Sequence, residues 1–425
     1  MLSVSITKVF ITVFFLISAC IIYFFLAIPY YSGDVKNHVA WAVSFLQDGT
    51  LGFYEKEIPG FYIPNYPPIT IWLFTLGESI YQLTKQWVWY LNVSAMIFPS
   101  KLVSFWEWEN VRFTFLKLPA ILANILLAYG VYLLLPFIKK ESSERQRILV
   151  SGLFLFNPAS IYLSALWGQI DFLPVAFLVF AFYLLFKSRI YWSAVLIVLA
   201  LLSKQTVVIF LAFYMFLVWR RFGWQILGKA IVIVLVLFYL AFLPFHQFSL
   251  TWPPQFYLST FSSVVLTVGE NVFNFWGFLF DFKKGIPDSQ IFLFLTYYQW
   301  GILLMSVFLS VPILIFLKRE LSTKKIMVLL LLISLVYFFF LTRLHERHLA
   351  PSIVFATLLA AVDKRYWVSL VFISGLFLLN MYNGSFQPNI ELFNKAVSSL
   401  IFIKLLVVGY FLIILYNLYI FIWEK

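Results

Sequence analysis

Residues able to do chemistry are sparse in this chain, and they fall in short clusters. Asp34 is the first acidic residue and follows Gly33 just past the first apolar run. A carboxylate there fits a general base that takes a proton from an acceptor hydroxyl. It equally fits the N-cap of an interfacial helix starting near Lys36. Trp167-Gly168-Gln169-Ile170-Asp171 lies between two apolar runs. Gln169 and Asp171 suit sugar binding or the orientation of a base, and a tight turn with Asp171 as N-cap serves as well. Ser203-Lys204-Gln205 puts an ammonium among apolar residues. Snorkelling to an interface explains it, and so does neutralising a lipid phosphate. Arg343-Leu344-His345-Glu346-Arg347-His348 is the densest polar run beside an apolar segment. Arg and His together can hold a phosphate and stabilise it as a leaving group. His345 and His348 have the i, i+3 spacing of a metal pair, but Glu346 would sit elsewhere on a helix. Asn274 and Trp276, within Glu270–Gly277, suit stacking on a sugar, although Trp also belts membrane interfaces. Asn65-Tyr66-Pro67-Pro68 reads as an extended turn into a helix, a corner that holds a loop in place. A phosphate-cradling Gly-rich loop, a Cys/His zinc spacing and a G-x-S-x-G string are all missing from the sequence.

The elements that must position these clusters are membrane helices. Of 425 residues, 63% are hydrophobic and only 11% charged, with mean hydropathy +0.94. A soluble domain carries about 25% charge. One core cannot hide so much apolar surface. Apolar runs of about 20 residues predict about twelve spans, and these must be helices because lipid satisfies no backbone group. The expected spans are Lys8–Ile28, Phe113–Phe137, Ile148–Leu163, Phe172–Phe186, Tyr191–Leu202, Thr206–Trp219, Lys229–Phe245, Ile291–Leu317, Ile326–Leu341, Leu349–Val362, Trp367–Met381 and Ile401–Trp423. A large first loop, 29–112, carries helical pieces at Asn37–Leu46 and Pro68–Tyr81 that lie at the interface. A second long loop runs from 246 to 290. The net charge of +12 reflects basic cytoplasmic loops such as Lys139–Arg147 and Lys318–Arg319, not a nucleic-acid partner. That bias puts both termini, including Lys425, on the cytoplasmic side, and every polar cluster above on the outer side.

Together and in this order, the clusters resemble the GT-C superfamily of polytopic membrane glycosyltransferases. The nearest branch looks like the prokaryotic mannosyltransferase-like proteins related to the enzyme adding the second mannose of GPI anchors. Dolichyl-phosphate-glucose glucosyltransferases are more distant. The strings that carry the likeness are SGDVKNHVAWAVSFLQDGTLGFY, NYPP, KLPAILANILLAYGVYLL, FNPASIYLSALWGQIDFLPV, LSKQ, ENVFNFWGF and RLHERHLAP. The chain departs from the pattern at the lone Gly33-Asp34, at Asn124, at Thr206 and at His348.

The resemblance implies an all-α GT-C fold occupying 1–425 as one membrane domain. It implies an inverting transfer of a mannose-like hexose from a polyprenyl-phosphate donor to a lipid-linked, glycan or protein acceptor. By the same likeness, Asp34 is the catalytic base. Lys204, His345 and Arg347 meet the donor phosphate. Gln169, Asp171, Asn274 and Trp276 line the pocket, to which Gln205, Tyr66 and Glu346 are added. The donor brings its own leaving group, so no metal or other cofactor is required by the chemistry. The expected site is the outer face of a prokaryotic cytoplasmic membrane, with membrane lipids as surroundings. A polyprenyl-lipid transporter or flippase is the competing reading. It would use basic residues for the same phosphates but place polar groups along both leaflets and break its helices. A structural membrane subunit is the third. It would leave Asp34, Lys204 and Arg347 without a shared role.

Overall fold

The computed structural model describes residues 6–262, 266–320 and 322–423; Lys425 and its expected side therefore lie outside the described residues. The protein is all-α. Among the described residues, strand is confined to the two-residue pair Ile291–Phe292 and Leu295–Thr296 and to isolated bridges. Seven helices are long and apolar enough to cross a bilayer, or eight if one bent pair counts as a single span. Their outward faces are apolar: on the Trp224–Phe242 helix, Val232, Val236 and Leu240 are each more than half exposed. Water would not tolerate such a face over so long a helix, and hydrocarbon would. The chain is a membrane protein of helices.

Helix starts and stops depart from the expected spans where the local chemistry is strong. The segment Ile291–Thr296 is a hairpin, not the start of the eighth span. Thr296 ends it by capping the Tyr297–Lys318 helix. Gln299 N donates to Thr296 Oγ1 at 3.2 Å, and Thr296 N donates to Gln299 Oε1 at 2.9 Å. The third span is broken. Glu144–Leu155 and Pro158–Trp167 meet at 55°. Pro158 has no amide proton, and Asn157 Oδ1 takes the Ala159 amide at 3.0 Å instead. The helix expected over Pro68–Tyr81 runs on to Ser94. The segments at Phe172–Phe186, Ile190–Leu201 and Ala350–Val362 are helical but only 15, 12 and 13 residues long, short of a full crossing.

The chain forms two compact units. The first comprises Met1–Leu127, Ile161–Val207 and Arg221–Tyr257. In it the Gly33–Asp48 helix packs on Pro68–Ser94, and Ile190–Leu201 packs between Phe172–Phe186 and Trp224–Phe242. The strap between the first two helices is pinned to the Gly33–Asp48 helix. Trp41 Nε1 donates to Tyr62 O at 2.6 Å, and Tyr62 N donates to Asn37 Oδ1 at 3.1 Å.

The second unit comprises Ala128–Ser160, Val208–Arg220 and Leu258–Lys425. Thr323–Phe340 is its axis. That helix is apolar on all sides and buried from Ile326 to Phe340, as a core helix should be. Tyr297–Lys318, Ala350–Val362 and Leu400–Trp423 surround it.

Candidate functional site

The polar residues of the first unit meet in one place. The Gly33–Asp48 helix begins with Ser32 at its N-cap position, but Ser32 does not cap. Its hydroxyl donates to Trp167 O at 2.9 Å and binds the helix start to the Trp167–Asp171 turn. Asp34 therefore lies in the first helical turn and is not the N-cap. Free amides and the helix dipole favour a carboxylate at that point. Asp34 is half-buried, and its Oδ2 accepts a hydrogen bond from Gln169 Nε2.

Gln169 is fully buried. Tyr162–Trp167 winds as a π turn and stops at Gly168, whose φ is +79°. Only glycine takes that conformation freely. A Cβ on Gly168 would lie 2.6 Å from Lys117 Cγ and 2.9 Å from Val35 Cγ2, so the glycine also allows close packing. From this turn Gln169 Oε1 accepts from Tyr66 OH at 3.1 Å. Tyr66 sits at the corner read from the Asn-Tyr-Pro-Pro string, and its carbonyl accepts from Tyr54 OH at 2.9 Å.

Lys204 closes the series. Its ammonium is 2.8 Å from Asp171 Oδ2 and 3.5 Å from Tyr66 OH, and it rides 5.0 Å over the Tyr66 ring. Both partners of the Lys204–Asp171 pair are buried. Asp171 occupies the N-cap position of Phe172–Phe186, yet its side chain does not cap and meets Lys204 instead. Gln205 Nε2 donates to Asn65 O at 3.0 Å, and Thr70 Oγ1 donates to Ser203 O at 2.6 Å. A continuous series thus runs Asp34, Gln169, Tyr66, Lys204, Asp171, drawn from four separate stretches of chain. Chemically it is a half-exposed carboxylate held by an amide, backed by a buried ion pair. An ionised carboxylate only accepts hydrogen bonds, so the amide of Gln169 fixes the orientation of Asp34 by donating to Oδ2. Lys204 has two of its three N–H groups engaged by Asp171 and Tyr66.

Lys117, in the Glu109–Ile138 helix, was passed over as part of an apolar span. It is completely buried. Its ammonium donates to Ala27 O at 2.7 Å, Ala165 O at 3.0 Å, Leu166 O at 3.4 Å and also to Tyr30 O. Those carbonyls lie at the end of the Ile6–Ala27 helix, just beyond it at Tyr30, and in the last turn of Tyr162–Trp167, where helix ends leave carbonyls without intrahelical partners. Lys117 thereby anchors the turn that carries Gln169. A single ionisable residue inside an apolar run is the feature that could have found it.

The second unit holds the other expected residues. Glu346–Leu349 is a single 3-10 turn starting after His345, so the α-helical spacing assumed for His345 and His348 does not occur. His345 N donates to His348 Nδ1 at 3.3 Å, and the two rings stand perpendicular, 5.7 Å apart. Arg347 Nη1 donates to Glu346 Oε1 at 3.1 Å. Arg343 has φ +61° and forks onto Asp288 at 2.6 and 3.2 Å, with Thr342 Oγ1 on the same carboxylate at 2.9 Å. Asp288 is buried, and the sequence reading did not single it out. Asn274 caps the short Phe275–Leu279 helix through Gly277 N at 3.0 Å, and its amide donates to Phe338 O at 3.3 Å. Trp276 Nε1 donates to Phe340 O at 2.6 Å. Both side chains spend their polar atoms on backbone and tie this segment to the axial helix. Among the described residues, no group of three His, Cys, Asp or Glu side chains is placed to hold a metal.

The first unit thus brings together Asp34, Tyr66, Gln169, Asp171, Lys204 and Gln205, and the second holds His345, Glu346, Arg347, Asn274 and Trp276. No protein-family model matches the chain, and no curated protein matches it either.

Proposed function

We propose that the protein is an inverting glycosyltransferase of GT-C type. It moves a mannose-like hexose from a polyprenyl-phosphate donor to a hydroxyl of a lipid-linked, glycan or protein acceptor on the outer face of the membrane. The observation that carries this reading is the series from Asp34 through Gln169 and Tyr66 to the Lys204–Asp171 pair. A carboxylate in the first turn of a helix, oriented by a buried amide, is what a positioned general base requires. In the proposed step Asp34 takes the acceptor hydroxyl proton as that oxygen bonds to the anomeric carbon. The bond from that carbon to the phosphate oxygen breaks, its electron pair leaves with the phosphate, and the anomeric configuration inverts. Lys204 contributes its remaining N–H to the leaving phosphate. Gln169 keeps Asp34 in one orientation, and Asp171 keeps Lys204 from wandering.

The test is sugar transfer in proteoliposomes, using a panel of polyprenyl-phosphate sugars and crude acceptor lipid. Asp34→Asn should fold as wild type and lose about 10²- to 10⁴-fold in rate, the usual contribution of a general base. Equal rates in both proteins would remove Asp34 from the mechanism.

The bend at Asn157-Pro158 supports a second reading, a polyprenyl-lipid transporter, because transporters build their sites from interrupted helices. Movement of labelled lipid between leaflets, with no sugar transferred from any donor, would select it.

A further inference from the structure

The Gly33–Asp48 helix has a second face, and it is not idle. Successive residues turn by about 100°, so Lys36, Ala40, Val43 and Gln47 fall on the side opposite Asp34. That side forms one wall of a groove with a volume of about 500 Å³. The strap around Glu57, Ile58 and Phe61 forms the second wall, and the first turn of the Glu109–Ile138 helix forms the third. The volume is in the range of small-ligand sites, about 300–1,000 Å³. The groove is also preformed, because the strap is pinned by Trp41 and by Asn37, so little ordering entropy is left to lose on binding.

The lining chemistry selects the ligand. Three of the charged side chains that line it, Asp48, Lys56 and Arg112, are already committed. Lys56 pairs with Asp48, and Arg112 forks onto Glu78 at 2.9 and 2.6 Å. What remains to hydrogen-bond a ligand in the groove is the amide of Gln47, the carboxylates of Glu57 and Glu109 and the ammonium of Lys36, which also rides 5.3 Å over the Tyr31 ring, above an apolar floor that includes Val43 and Phe113. A polyanion would meet the two carboxylates, and a polycation would meet Lys36. A neutral ligand dense in hydroxyls suits all of them. Its O–H groups donate to the carboxylates and accept from the ammonium and amide, and its C–H faces rest on the apolar floor.

We infer that this groove binds a neutral oligosaccharide and is a second carbohydrate site, set back to back with Asp34 across one helix. As the place where a glycan acceptor is gripped away from its reacting end, it rests on the transferase reading. There it would supply remote binding energy.

The experiment measures binding without transfer. Protein in nanodiscs is titrated with a neutral hexose trisaccharide and, separately, with inorganic phosphate, followed by saturation-transfer NMR and calorimetry. Wild type should bind the trisaccharide saturably and the phosphate not at all. Ala40→Trp, which fills the groove from a half-exposed position, should weaken trisaccharide binding at least about tenfold, the loss expected when a ligand's central contacts go. Glu57→Gln with Glu109→Gln touches only exposed side chains and should weaken it several-fold with the fold intact. Asp34→Asn should leave it within about twofold. No saturable trisaccharide binding, equal binding by Ala40→Trp, or preference for phosphate would each overturn the inference. So would a phospholipid retained by wild type and lost from Ala40→Trp with no glycan bound. Loss of transfer activity in all assays with trisaccharide binding intact would sink the transferase reading and leave the groove standing.

Discussion

Replacing Gly168 by Ala probes how rigidly the Gln169 turn is held. The substitution adds one carbon at a position with φ +79°. A side chain in the left-handed region costs about 1–2 kcal/mol. The new Cβ would also lie 2.6 Å from Lys117 Cγ and 2.9 Å from Val35 Cγ2. Elsewhere a lysine stem would swing aside at small cost. Here its far end is fastened to carbonyls of Ala27, Tyr30, Ala165 and Leu166, so the stem has nowhere to go. Overpacking against a fixed neighbour costs about 1–3 kcal/mol. The combined destabilisation is about 2–5 kcal/mol. At about 2–4 °C per kcal/mol that is a fall of roughly 4–20 °C in melting temperature. Intrinsic-fluorescence melting in nanodiscs reads it directly. The transfer rate should fall further than stability alone explains, because the same shift displaces Gln169 from Asp34. A double-mutant cycle sharpens the test. Lys117→Ala removes the clashing Cγ, so Gly168→Ala should cost less in its presence, with a coupling of about 0.5–3 kcal/mol. If Gly168→Ala melts and transfers as wild type, the turn yields freely and Lys117 is not its anchor.

The Lys204–Asp171 pair should behave as a buried ion pair. Lys204→Met or Asp171→Asn alone should each destabilise by about 3–5 kcal/mol, whereas the double variant should cost markedly less than the two combined, as thermal melting will show. Asp363, in the turn after Ala350–Val362, is held below the ordinary carboxylate range, chiefly by its hydrogen bond from Arg365 and further by Lys324. Its contribution is therefore present above the unfolded carboxylate value of about 4 and is lost as pH falls. Melting temperature followed from pH 7 downward should drop in this acid range, and the drop should be shallower in Asp363→Asn.

The helices and the main polar cluster could be traced in the sequence for one reason: polar groups among apolar residues must find partners. Gln169, Lys204 and Asp171 stand out against their flanks and do meet. Lys117 escaped notice because one ammonium hardly lowers the hydropathy of a long apolar run. Its partners are backbone carbonyls, which leave no trace in side-chain patterns. Asp288 was missed because its match to Arg343 is made by tertiary folding, across the two helices Tyr297–Lys318 and Thr323–Phe340 that lie between them in the chain. The late start of the helix at Tyr297 was in fact written locally, in the Thr296-to-Gln299 capping pair, but the apolar Ile291–Leu295 run outweighed it. The break at Asn157-Pro158 was likewise visible as residues, but a hydropathy window averages across it.

Lys117 can also be viewed as coordination chemistry. Ala27, Tyr30, Ala165 and Leu166 offer the kind of oxygen shell that would strip and hold a monovalent cation, and the chain fills that shell with a cation of its own on a tether. A tethered ion cannot be diluted away or exchanged. Because it is wholly buried, the surrounding electrolyte screens it far less than a surface charge. The joint between the first helix and the Gln169 turn is therefore far less sensitive to the salt outside than a surface ion pair, in fresh water as in brine.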